Sequence, residues 1–178
     1  MKIKYNSPVI LTYAVISLCV LMLAGSGFRS NYVSSPAHLS FSNPYFYLRL
    51  VSYVTGHSGW SHLIGNLTII LLVGPLLEEK YGSKKLLEMI LVTAVSTALL
   101  NAVLFSTSLI GGSGIAFMMI LLSSFSNIKA KEIPLTFILI AVLFIGSETI
   151  SILKPDRISQ FSHLAGGLIG AAYGFFRL

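Results

Sequence analysis

Apolar residues run along this chain in long unbroken blocks, not at alternate positions and not on one helical face. Blocks of that kind belong to helices with apolar surroundings on every side. The first runs from Pro8 to Ala24; the later ones run from Ser61 to Leu77, Leu86 to Phe105, Ser113 to Ser126, Pro134 to Leu153 and Ser159 to Phe176, which makes six. Most approach the roughly 20 residues that a transmembrane helix needs. The pattern predicts an all-α membrane protein, a single six-helix bundle over residues 1–178. A cleaved signal peptide competes for the first block, because Lys2, Lys4 and the small Ala24-Gly25-Ser26 fit that pattern too. An uncleaved span is preferred because it completes the topology. The longest polar segment, Gly25 to Trp60, holds Pro36, Pro44 and the rings of Tyr32, Phe41, Tyr45, Phe46, Tyr47 and Tyr53. It reads as a large, structured first outer loop at the membrane interface, where aromatic rings are favoured.

Composition supports the membrane. The 178 residues are 54% hydrophobic and 10% charged with a mean hydropathy of +0.83, whereas soluble domains are about a quarter charged. The net charge of +6 comes from basic residues that flank apolar blocks in ones, twos and threes, so no nucleic-acid partner is expected. With a cytoplasmic N-terminus, one side holds Lys2, Lys4, Lys80, Lys84, Lys85, Lys129, Lys131 and Arg177, and the other only Arg29, Arg49, Lys154 and Arg157. Eight against four follows the positive-inside rule. The expectation is a multi-pass protein of a prokaryotic cytoplasmic membrane with both termini cytoplasmic and the lipid bilayer as its partner. The single cysteine, Cys19, excludes an internal disulfide and a cysteine-based metal cluster.

The fourth block is the informative one. Its 14 residues rise about 21 Å, short of the roughly 30 Å hydrocarbon core. With Lys129 and Lys131 at the cytoplasmic surface, Ser113 is expected several ångströms below the outer one. His163, four residues into the sixth block, is expected about 6 Å deep on the same rise, so the two can meet if their helices are neighbours. Gly111, Gly112 and Gly114 flank Ser113, removing Cβ bulk where a carbonyl would approach. A helix opening at the serine also directs backbone N–H groups toward developing negative charge. His57, His62 and Asn66 lie near the same outer end, with His62 and Asn66 four apart and so on one helix face. Acyl transfer needs a nucleophile, a base and donors for the oxyanion, and Ser113, His163 and the pair His62 with Asn66 match those roles.

Competing readings remain beside this one. Polar residues in membranes often just bridge helices, and small residues often serve close packing. A metal centre is not expected, because His57 and His62 are five apart with no carboxylate beside them. Glu148 and Asp156, the outer-side acids, read as interfacial. A small transporter is a further class, though no inverted repeat is visible.

With these residues assembled, the chain from about Arg49 onward resembles the rhomboid family of intramembrane serine proteases. Gly111-Gly112-Ser113-Gly114 is similar to the family's nucleophile motif and implies Ser113 as nucleophile. His163 with Gly166 and Gly170 is similar to its last-helix motif and implies His163 as general base. His57, His62 and Asn66 resemble its second-helix pattern, in which the second histidine and the asparagine assist the oxyanion. Two departures stand out: Leu48 precedes Arg49 where the family has a tryptophan, and Phe117 stands where many members have a tyrosine packed on the histidine. The resemblance implies transmembrane protein substrates and no cofactor. A non-proteolytic rhomboid-like binding protein would share the fold and is expected to lack the nucleophile or the base.

Overall fold

The computed structural model describes residues 5–125 and 157–176, with residues 135, 138, 139, 142 and 143 between them; the side chains of 124, 125, 157–163 and 175 lie outside the description. Regular elements among the described residues are all helical. They are α1 (Pro8–Leu23), α2 (Ser26–Tyr32), α3 (Pro44–Ser52) with a 3-10 turn at Tyr53–Thr55, α4 (Trp60–Tyr81), α5 (Ser83–Leu104), α6 (Ser113–Phe125) and α7 (Arg157–Phe176). Five of the six apolar blocks thus appear as helices, and most of the fifth, Pro134 to Leu153, lies outside the described residues.

Among the described residues, two helices, α4 and α5, are long and apolar enough to cross a membrane. At 22 residues each they rise about 33 Å. The shorter apolar stretches are Pro8–Leu23, Ser113–Ser123 and Leu164–Gly174. Large apolar side chains such as Leu72, Leu76 and Val103 face outward, more apolar surface than water tolerates on a monomer.

Polar residues set the ends of the helices. α4 continues through Glu78, Glu79 and Lys80 because the Glu78 carboxylate turns inward and is buried. It accepts from the Val9 and Ile10 N–H groups at 3.0 and 3.1 Å and from Ser83 Oγ at 2.6 Å. A negative charge there satisfies donors that the first turn of α1 leaves unpaired and complements its dipole. Gly82, at φ +81°, reverses the chain in one residue, a conformation that costs a β-carbon-free residue nothing, and α5 starts at once.

α7 lies against both α5 and α6, and its glycines make the approach close. A β-carbon on Gly166 or Gly170 would overlap the Thr97 or Thr93 hydroxyl of α5, and one on Gly167 would stand 2.6 Å from Phe117 Cδ1 and 3.2 Å from the Gly114 carbonyl of α6. One on Gly174 would stand 2.7 Å from Leu122. Contacts therefore run in parallel along α6 and antiparallel along α5. The glycines of the last helix thus serve two neighbours at once.

Candidate active site

Ser113 is the first residue of α6 and is 3% exposed. The helix opens with the Ala116 N–H donating to the Gly112 carbonyl at 2.9 Å. Its positive dipole end therefore lies at the serine.

The segment that delivers Ser113 is held from the first outer loop. Ser35 N–H donates to the Leu109 carbonyl at 2.8 Å, and Leu109 N–H returns a bond to Ser35 Oγ at 2.8 Å. Gly111 N–H donates to the Tyr53 carbonyl at 3.1 Å, and Tyr53, 2% exposed, anchors its own hydroxyl on the Ala94 carbonyl of α5. Arg49 keeps the partner strand of chain in place, its guanidinium donating to the Ser34 carbonyl at 2.7 Å, the Ser35 carbonyl at 2.9 Å and Ser34 Oγ at 3.3 Å. Arg49 makes these bonds with a leucine, Leu48, before it.

Gly111 is the point where α4 meets this segment. Its φ of +131° is one that a side chain would strain, and the space a β-carbon would need is filled. Such an atom would lie 2.6 Å from His62 Cε1, 2.7 Å from His62 Nε2 and 3.7 Å from Asn66 Nδ2. The predicted pair therefore stands beside the residue two before Ser113. Asn66 is 6% exposed, and its Nδ2 finds no acceptor among the described residues. Ser58 Oγ lies 3.0 Å from His62 Nδ1; the tautomer in which Ser58 donates leaves the proton on Nε2, the atom that faces Gly111. Two N–H donors then border the backbone just before the serine.

His57 has a different part. It is fully buried, its Nδ1 3.3 Å from the Thr55 carbonyl and its ring edge-on to His62 at 5.1 Å. Burial, and then the neighbouring His62, push its pKa down to about 4, which the Thr55 hydrogen bond only partly offsets. It is a neutral packing partner for His62 at pH 7.

His163 lies on α7, and its side chain is outside the described residues. Its helix has a definite register, since Gly167 meets Gly114, Phe117 and Met118, Gly170 meets Met118 and Gly174 meets Leu122. Carried back one turn, that register brings the backbone at position 163 level with the start of α6. Phe117 is 3% exposed and fills the space beside Gly167. Gly166 and Gly170, which accompany His163 in the motif, meet α5. Glu148 and Asp156 lie outside the described residues. The sequence pattern does not mark Ser35, Tyr53 or Ser58: Ser35 and Tyr53 act on Leu109 and Gly111, far along the chain, and leave no periodic mark, while Ser58 is a loop hydroxyl four residues before His62.

An all-helical bundle that carries a buried serine at the mouth of a short helix, with a histidine and an asparagine beside its glycines, defines the class of protein. The model of the rhomboid domain matches residues 46–178. Rhomboid-related protein 1 of Caenorhabditis elegans is 28% identical over 138 residues, covering 71% of this chain and 39% of that relative. The chain therefore spans about two-fifths of that relative's length. It belongs to the rhomboid family, whose members are embedded in membranes.

Proposed function

We propose that this chain is an intramembrane serine protease, a six-span bundle that hydrolyses peptide bonds in or beside the transmembrane segments of other proteins. Ser113 Oγ attacks the substrate carbonyl carbon while His163 accepts its proton. The oxyanion is held by the Ser113 N–H with His62 and Asn66. Collapse breaks the C–N bond as His163 returns the proton to the leaving amine. Water, deprotonated by His163, then attacks the acyl ester and frees Ser113.

The observation that carries this reading is the convergence at Gly111. His62 Nε2 and the unpartnered Asn66 Nδ2 crowd a glycine at positive φ, two residues before a buried serine at a helix N-terminus. Two donors at that spot suit a developing oxyanion, and client binding alone does not call for them. Helix α6, 13 residues long, covers about 20 Å, which recesses the serine from the outer surface. A substrate helix keeps its backbone bonded in lipid and must unwind to be cut, so helix-destabilising residues near the scissile bond are expected to favour cleavage.

The test is purified protein in detergent with a fluorogenic transmembrane-segment substrate, beside Ser113→Ala and His163→Ala. Cleavage by the parent, lost in both variants, is the expected result. Equal cleavage by all three, or none by a well-folded parent across several substrates, overturns it.

A further inference from the structure

Helix α1 lies outside the matched domain, which begins at residue 46, yet one of its side chains reaches the segment that carries Ser113. Tyr13 is 7% exposed, and its hydroxyl donates to the Val54 carbonyl at 2.6 Å. The same oxygen lies directly under Gly112. A β-carbon at Gly112 would overlap it, with Tyr13 Cζ 3.3 Å and Ile70 Cδ1 3.4 Å away. Val54 follows Tyr53, whose carbonyl accepts from Gly111 N–H. Two consecutive carbonyls of one turn thus hold the two sides of a bridge: Tyr53 takes the nucleophile segment, and Val54 takes the phenol on which that segment rests. Ile10 and the Glu78 bonds to Val9 and Ile10 fix α1 one turn away.

We propose that Tyr13 is a positioning residue for the nucleophile: its hydroxyl, anchored on Val54, is the floor that sets the height of the Gly112–Ser113 peptide. This rests on the protease reading above. The geometry makes a specific demand on position 112. A methyl there strikes the phenol oxygen; once that oxygen is removed the nearest atoms are the ring Cζ at 3.3 Å and Ile70 Cδ1 at 3.4 Å, a tight contact that a shift of a few tenths of an ångström relieves.

The experiment is a double-mutant cycle on the full chain in detergent, with Tyr13→Phe, Gly112→Ala and both together. It reads kcat, KM, labelling of Ser113 by a fluorophosphonate, and thermal unfolding. Tyr13→Phe is expected to lower kcat roughly tenfold with KM within about twofold, the signature of an interaction that matters in the transition state. Gly112→Ala is expected to lose roughly a hundredfold or more, and the double variant to recover at least tenfold of that loss. Recovery shows that the phenol oxygen and position 112 meet; a lower kcat and slower Ser113 labelling in Tyr13→Phe alone, at an unchanged unfolding temperature, is what a phenol that merely stabilises α1 would not give. Additive losses, or a Tyr13→Phe enzyme that matches the parent in kcat and labelling, overturn the proposal while leaving the protease reading intact. A folded parent that neither cleaves nor labels overturns the reading and the proposal with it.

Discussion

Ser35 and Leu109 hold each other through two hydrogen bonds, each 2.8 Å long, one from backbone to backbone and one from the Leu109 N–H to the Ser35 hydroxyl. Both residues are buried, at 0% and 3% exposure. Ser35→Ala leaves the buried Leu109 N–H without its acceptor, which costs about 1 to 3 kcal/mol. The expected result is a lower melting temperature in detergent, with cleavage reduced less than tenfold because the Gly111 to Tyr53 bond survives. Unchanged stability would show that the pairing carries no load.

Glu78 answers three donors with one buried carboxylate, at Val9, Ile10 and Ser83. Glu78→Ala strands all three and removes the charge that complements the α1 dipole, an expected loss of about 2 to 4 kcal/mol. Glu78→Gln retains an acceptor and is expected to lose less. Denaturant titration of the three proteins orders them, and limited proteolysis is expected to open first near Pro8. Equal stability of the alanine variant would mean that the Glu78 bonds contribute nothing to holding α1.

His57 gives the fold a pH dependence whose sign follows from burial. Its folded pKa of about 4 lies below the ordinary 6.5, so between those values the unfolded chain binds more protons than the folded one. Stability is then complete above about 6.5 and is lost as pH falls toward about 4. Thermal unfolding at several pH values in that window is expected to show the loss, and His57→Asn is expected to flatten the slope. A parent whose melting temperature is level from pH 7 to 4.5 contradicts the buried neutral state.

Gly167 packs α7 against α6 with no room for a β-carbon. Gly167→Ala places a methyl within 2.6 Å of Phe117 Cδ1 and 3.2 Å of the Gly114 carbonyl, forcing the helices apart near Ser113. Because His163 is one turn away on the same helix face, cleavage is expected to fall at least tenfold while binding of substrate changes little. Phe117→Leu is expected to restore part of it by yielding space. Full activity in the alanine variant would show that α7 can shift without cost to the chemistry.

Much of this architecture is legible in the amino-acid sequence, and the parts that are not share a cause. Blocks of apolar residues mark helices because membrane and core alike exclude charge, so α1, α5 and α6 begin or end within about three residues of where the pattern puts them. The His62 and Asn66 spacing marks one helix face, and that face does meet Gly111. The run of Glu78, Glu79 and Lys80 looks like a turn, yet α4 continues through it, because a partner 68 residues away in sequence, the Ile10 N–H, makes burial of the carboxylate favourable. α2 and α3, at 7 and 9 residues, are too short for a helical period to stand out within Gly25 to Trp60. Tyr13 is hidden for the opposite reason: within a block that is apolar on every side, nothing in the sequence says which side meets the nucleophile segment.

The glycines of α7 have a mechanical consequence. Gly166, Gly170 and Gly174 meet Thr97, Thr93 and Met89 on successive turns of α5, while Gly167, Gly170 and Gly174 meet Gly114, Met118 and Leu122 on α6. Teeth on two sides, cut at one pitch, make a rack: a displacement smaller than a full turn, about 5.4 Å, drives side chains into backbone on at least one flank. Sliding any one of the three helices along another therefore meets resistance on both flanks of α7.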